Sequence, residues 1–141
     1  MGKTEICLKL AKIFQTEIIS SDSRQFYRET EIGTAKPTVN EMAEVKHHFV
    51  NSLSIFDMYD VRKFEIETIE LLEKLFAKHD LVILTGGSGL YIDAICFGFD
   101  EIPNVDPSIR EQLILDHKEK GIQNLQSRLQ ELDPEYFGKV D

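Results

Sequence analysis

The chain has 141 residues, 42% hydrophobic and 29% charged, a length that supports one domain with a real core and no array of domains. Lys and Arg number 16 against 25 Asp and Glu, a formal net charge of -9; this argues against strong nonspecific nucleic-acid binding but leaves room for a local basic site. The longest apolar runs are too short to span a membrane, and no basic-then-apolar opening marks a secretory leader.

Two cysteines, Cys7 and Cys96, are far apart and form neither a disulfide framework nor a zinc-ligand spacing. Both are expected to be small core hydrophobes of a protein in a reducing, cytoplasmic setting. At the start, Gly2-Lys3-Thr4 runs straight into a helical pattern in which Cys7, Leu10, Ala11 and Phe14 form one apolar stripe. Glu17–Ser21 reads as a short buried strand, and Ser21–Tyr27 as a polar strand end entering a turn or short helix. Glycine and proline punctuate a loop over Ile32–Thr38. A short helix is expected over Asn40–Lys46 with Asn40 as its cap, and His48–Leu53 reads as a further strand.

Asp60 suits the cap of a long helix, Val61–Lys78, with Val61, Phe64, Thr68, Leu71, Leu72, Leu75 and Phe76 on one face. Leu81–Thr85 is the clearest buried strand, apolar almost throughout as a central parallel strand should be. Gly86-Gly87-Ser88-Gly89 ends it, and Leu90–Phe97 starts another helix. Pro103 and Pro107 mark a linker. Helices follow over Ser108–Lys120, closed by Gly121, over Gln123–Leu132, and from Asp133-Pro134-Glu135. Strands alternating with helices imply an α/β fold with a parallel sheet and helical additions.

Three polar clusters fall at or just beyond strand ends, where open parallel sheets gather ligands: Gly2-Lys3-Thr4, Ser21-Asp22-Ser23 and Thr85–Gly89. Gly-Lys-Thr opening a helix is the second half of a phosphate-binding loop. Glycine lets backbone N–H groups approach phosphate, and the helix start adds unpaired donors. Lys3 would hold the outer phosphates and the Thr4 hydroxyl would ligate Mg²⁺. The plainer reading of those three residues is an ordinary helix start. Asp22 suits a turn cap as well as a base, and Gly86–Gly89 a plain strand-to-helix turn with Ser88 at the N-cap. His47-His48 has no third ligand at metal spacing, which favours a structural role. Phe26 suits core packing, and Lys36 either a phosphate contact or an ordinary surface position.

The succession GKTEICLKLAK, EIISSDSRQFYRETEIGTAKPT, HHF and LTGGSGLYIDAICFGFD resembles the tRNA dimethylallyltransferases, also called tRNA isopentenyltransferases. The likeness runs from Gly2 to the end and is most specific in Asp22–Tyr27 with Ile32–Pro37. It implies a phosphate-loop NTPase-like core with helices on both faces over residues 1–100, then the start of a helical tRNA-binding insertion over 101–141. It also implies a cytoplasmic, monomeric enzyme, with no protein partner. Such an enzyme transfers a dimethylallyl group from dimethylallyl diphosphate to the N6 amine of an adenine beside the tRNA anticodon, with Mg²⁺ assisting departure of diphosphate.

By the same resemblance Gly2, Lys3 and Thr4 hold the diphosphate, with Thr4 toward the metal. Asp22 is the general base for a poorly nucleophilic exocyclic amine, and Ser88 joins Lys3 and Thr4 in stabilising the leaving group. Asp22, Ser23, Arg24, Gln25 and Arg110 match positions that meet the tRNA anticodon arm. The family commonly has Thr where this chain has Ser88, a change that keeps the hydroxyl. The family's first strand and first half of the phosphate loop would lie upstream of residue 1. Glu17–Ser21 and Leu81–Thr85 are therefore expected to lack a shared neighbour, and this polypeptide alone to have little transferase activity. Two alternatives stand beside this reading. One is a phosphate-loop kinase, although Ser88–Pro107 lacks the lid arginines such an enzyme uses. The other is a non-catalytic remnant.

Overall fold

A computed structural model describes residues 2–99 and 105–140. The chain divides into two compact units, Met1–Asp100 and Glu101–Asp141. The first unit carries helix α1 (Lys3–Ile13), strand β1 (Ile18–Ser20), helix α2 (Val39–Glu44), strand β2 (His47–His48), helix α3 (Val61–Phe76), strand β3 (Ile83–Thr85) and helix α4 (Gly89–Phe97). The second carries α5 (Pro107–Lys120), α6 (Ile122–Leu132) and α7 (Pro134–Phe137). The Pro103 part of the expected linker lies outside the described residues.

The sheet is parallel, in the order β2-β1-β3. Ile18 pairs with Ile83, Ile19 with Leu84 and Ser20 with Thr85, while Ile18 and Ile19 also pair with His47 and His48. No described strand pairs with both β1 and β3, as expected, but the two are not left apart: they bond directly to each other. The order corrects the placing of the central strand. β1, flanked on both sides, has all three residues buried, whereas β3 is only half-buried along its length and Leu81 before it is exposed. An apolar run shows that a strand seeks burial on both faces, but its place in the sheet depends on pairing.

Side chains alternate across a strand, so burial of both Ile18 and Ile19 means that both faces of β1 are covered. On one face Ile18 joins Leu8, Ala11 and Val45, with Cys7 and Ile83 packed against them. The buried side of α1 is therefore Cys7, Leu8 and Ala11. The expected stripe is rotated, and its outer members Leu10 and Phe14 are exposed. A second core is aromatic. Phe26 and Phe64, both fully buried, stack with centroids 5.3 Å apart, and Tyr91 meets each of them edge-on at 5.5 and 5.2 Å. Phe49 and Tyr59 complete the cluster. Aromatic pairs in such tilted and edge-on arrangements add about 0.5–1.5 kcal/mol each beyond area burial.

Local signals explain the boundaries. Asp60 caps α3 by accepting from the Lys63 N–H. The cap of α2 is Thr38 rather than Asn40: Thr38 and Glu41 form a reciprocal capping box, which satisfies two amides of the first turn. The strand expected over His48–Leu53 stops at His48. Phe49 and Asn51 adopt φ of 58° and 54°, a left-handed backbone that cannot extend a ladder. Leu53 recovers one parallel bridge, to Tyr27. Cys7 is half-buried as a core-edge residue, but Cys96 is exposed, contrary to its apolar surroundings in sequence. In the second unit the buried carboxylate of Asp116 holds Lys120 at 3.0 Å and Arg128 at 3.2 Å, tying α5 to α6.

Candidate active site

The carboxyl ends of β1 and β3 and the start of α1 surround a cavity of about 260 Å³. Lys3 and Thr4 line it from α1, Asp22, Arg24 and Gln25 from the turn after β1, and Thr85, Gly86 and Gly87 from the end of β3. Cys7, Ile18, Ala35 and Pro37 supply apolar wall, with Ser20 and His47 between. Three clusters far apart in sequence thus meet, and Lys3 and Asp22 share one crevice.

The start of α1 has no side-chain cap. Gly2 stands at the N-cap with φ of 106°, a left-handed conformation that glycine adopts freely. It offers no side chain to the helix, and no side-chain cap bond is present. The first-turn amides and the positive end of the helix dipole are left for an incoming acceptor. Lys3 and Thr4 are exposed at this opening.

The Asp22 side is built by close approach. Ser21 N–H donates to the Thr85 carbonyl at 2.7 Å, and Ser88 N–H to the Ser21 carbonyl at 3.3 Å. Gly86 permits this contact: a Cβ there would lie 2.3 Å from the Ser21 carbonyl carbon and 2.4 Å from its Oγ. A Cβ on Gly87 would lie 3.1 Å from Asp22 Oδ2. The Asp22 side chain is 11% exposed. Its Oδ1 accepts from the Arg24 N–H at 3.2 Å, with the Arg24 Nε at 3.5 Å. One oxygen therefore caps the turn, and the other faces the glycine pair. The cap reading of Asp22 is thus met by Oδ1, and the residue also lines the cavity.

Ser88 occupies the N-cap position of α4 without capping it. Its Oγ accepts from the Ser23 N–H at 3.0 Å and lies 3.1 Å from the Ser23 Oγ. Neither serine is among the cavity-lining residues, so the hydroxyl expected on the leaving group is engaged with the Asp22 turn. Gln25 is likewise engaged, with Ser20, Thr34 and Ala35. Lys36 donates to the Tyr27 carbonyl at 2.5 Å and to Asn51 Oδ1 at 2.7 Å, a loop tie. Phe26 is core. Arg110 is exposed on α5, in the other unit. Sequence reasoning did not single out Ser20, Ala35, Pro37 or Cys7 as cavity wall. The Thr-Ala-Lys-Pro run at 34–37 was a readable loop, but its place in the wall of one cavity with the end of β1 was not.

His47 and His48 have structural partners. His47 Nδ1 lies 2.8 Å from the Val45 carbonyl. His48 Nε2 lies 2.5 Å from Glu17 Oε2, with Lys46 3.4 Å from the same oxygen and His79 3.8 Å from Oε1. Burial pushes the Glu17 carboxyl up, but the His48 bond and the Lys46 charge together outweigh it and hold the group below its ordinary value. Among the described residues no group of three His, Cys, Asp or Glu side chains is placed to hold a metal ion, and no helix is long and apolar enough to cross a membrane.

Residues 25–141 match the family model described as IPP transferase. The chain belongs to the IPP transferase family. Over 140 residues it is 49% identical to the tRNA dimethylallyltransferase of Flavobacterium psychrophilum, covering 99% of this chain and 46% of that protein. A crystal structure of the full-length tRNA isopentenylpyrophosphate transferase from Bacillus halodurans matches 99% of this chain and 46% of that one, with 32% identity and a TM-score of 0.67. A eukaryotic dimethylallyltransferase captured acting on tRNA matches with 26% identity and a TM-score of 0.76, over 99% of this chain and 35% of that one. The chain thus spans about half the length of the curated relatives it matches. The family model begins at Gln25, so the likeness over Lys3, Thr4 and Asp22 rests on the relatives matched along the whole chain.

Proposed function

We propose that this chain forms the donor and base side of a tRNA dimethylallyltransferase. In this reading the reaction joins dimethylallyl diphosphate to the N6 amine of an adenine next to the anticodon. The observation that carries it is the shared cavity of Lys3, Thr4 and Asp22 in a member of the IPP transferase family.

The chemistry follows from the placement. The diphosphate would seat at the start of α1, on its free amides and the Lys3 ammonium, and the five-carbon chain would run along Cys7, Ile18, Ala35 and Pro37. The adenine leaves its stack to reach an enclosed donor. The N6 nitrogen attacks the prenyl C1 carbon. A C–N bond forms, the C–O bond to diphosphate breaks, and diphosphate departs with the bonding pair. Asp22 takes the proton from N6 as the C–N bond forms, a contribution of about 10²–10⁴-fold for a positioned base. Charge growing on the leaving group meets donors already aimed at it, which need no reorganisation.

The oxygen chemistry of the cavity fits Mg²⁺. That ion keeps several waters and binds through one or two protein oxygens plus phosphate oxygens, and the Thr4 hydroxyl at the cavity opening is of that kind. When bound, the ion would neutralise diphosphate charge.

The complete protein should incorporate a prenyl group into unmodified tRNA from dimethylallyl diphosphate, read by mass spectrometry of the nucleosides. Dimethylallyl diphosphate should raise its melting temperature more than ATP does. Absence of incorporation together with stabilisation by ATP alone would overturn the reading in favour of a kinase.

A further inference from the structure

We propose that Gln25 is a positioning residue that clamps one wall of the cavity to the end of β1 and the turn carrying Asp22, and so sets the donor seat without touching RNA. This rests on the proposed transferase reading and deepens it.

The amide of Gln25 is committed on both ends. Its Nε2 donates to the Thr34 carbonyl at 3.2 Å and to the Ala35 carbonyl at 3.1 Å, and its Oε1 accepts from Ser20 Oγ at 2.9 Å. Two carbonyls facing one end of the amide can be satisfied only by the NH₂, so the orientation is fixed by its partners. Both N–H donors are spent within the protein, leaving neither for a base edge. Ser20 Oγ in turn lies 3.4 Å from the Asp22 N–H. The Gln25 backbone N–H donates to the Asp22 carbonyl at 2.9 Å. A continuous chain of bonds therefore joins the Asp22 turn to the Thr34–Ala35 backbone.

That backbone needs holding. Ala35 has φ of 48°, a left-handed conformation that is unfavourable for a residue with a Cβ. Ala35 and Pro37 line the same cavity as Lys3 and Asp22. Thr34, buried, is tied further by its hydroxyl to the Thr30 and Glu31 carbonyls. A strained residue over-determined by its surroundings, in the wall of a candidate site, is a mark of preorganisation. Without the clamp the wall relaxes and the donor loses its apolar side.

The test uses the complete protein with Gln25→Glu, which keeps the shape but turns an oxygen toward the two carbonyls, and Ser20→Ala, a milder cut of the same chain. Hydrogen exchange reads the amides of residues 33–36. Calorimetry reads dimethylallyl diphosphate, and fluorescence anisotropy reads an unmodified anticodon stem-loop. Exchange over 33–36 should quicken in both variants. Donor affinity and kcat should fall by roughly tenfold or more in Gln25→Glu and less in Ser20→Ala, while RNA affinity stays within roughly twofold. A loss of RNA affinity with donor affinity intact would make Gln25 an RNA contact and overturn the clamp. A fall of both affinities in step with melting temperature would make it a fold residue, which overturns the clamp equally. Unchanged exchange in both variants would show that no clamp exists. The exchange arm decides this even if the wild-type protein transfers no prenyl group, an outcome that would sink the transferase reading separately.

Discussion

The two sides of the cavity are built on opposite plans. On the Asp22 side, Ser20, Ser21, Ser23, Gln25 and Ser88 bond to backbone or to one another, and glycine at 86 lets two chain segments touch. On the α1 side, Gly2 leaves the helix start without a side-chain cap, and Lys3 and Thr4 stand exposed. The difference teaches what each side awaits. If Asp22 is the base proposed above, it must hold one geometry before substrate arrives, and the Ser20, Ser23, Gln25 and Ser88 side chains around it are spent within the protein. The diphosphate seat proposed at α1 would need its donors free, since its partners would come with the ligand.

Substitutions can break that contrast, and the largest effect is expected on the rigid side. Gly86→Ala places a Cβ against the Ser21 backbone at 2.3 Å. Backbone cannot step aside as a side-chain tip can, so destabilisation should reach or exceed the ~1–3 kcal/mol of an overpacked core, read as a fall in melting temperature. Lys3→Ala should act in the opposite way. It should leave melting temperature nearly unchanged while weakening dimethylallyl diphosphate by roughly tenfold or more, the scale of one charged hydrogen bond, measured by calorimetry. A Lys3 variant that melts early would show that the open side is also structural.

Glu17 sharpens the comparison from outside the cavity, since it joins the Lys46–His48 segment to the approach to β1. Glu17→Gln removes a largely buried charge-assisted bond and should cost about 1.5–3 kcal/mol at neutral pH. The folded carboxyl is held below its ordinary value. Its contribution is therefore complete above the unfolded value of about 4.3 and is lost as pH falls through the lower folded value. The difference in stability between wild type and Glu17→Gln should shrink below about pH 4.3. The smallest effect belongs to Ser88→Thr, which retains the hydroxyl facing Ser23. Its melting temperature should match wild type, whereas Ser88→Ala should lose about 1 kcal/mol for the Ser23 bond.

Much of the fold was legible because its signals are local. Asp60, Gly121 and Pro134 announce helix ends, and Ile18-Ile19 announces a strand buried on two faces. The capping box at Thr38 was equally readable in the Thr-x-x-Glu spacing, although Asn40 was the residue expected there. Other features depend on distant partners. Leu81–Leu84 looks central by composition, yet it is β1 that takes neighbours on both sides. Phe49 and Asn51 end a strand through a backbone conformation that ordinary residues rarely adopt. In the site, Lys3, Thr4 and Asp22 carried chemistry in their residue types and positions. Gln25 did not, because its role depends on the carbonyls of Thr34 and Ala35, which any residues would supply.

The most direct measurement is prenyl transfer by the complete protein carrying Asp22→Ala, with dimethylallyl diphosphate affinity determined on the same preparation. The account predicts that transfer falls by about 10²-fold or more while donor affinity remains close to wild type. Transfer at the wild-type rate would remove Asp22 from the chemistry and contradict the claim that carboxylate and diphosphate act across one crevice.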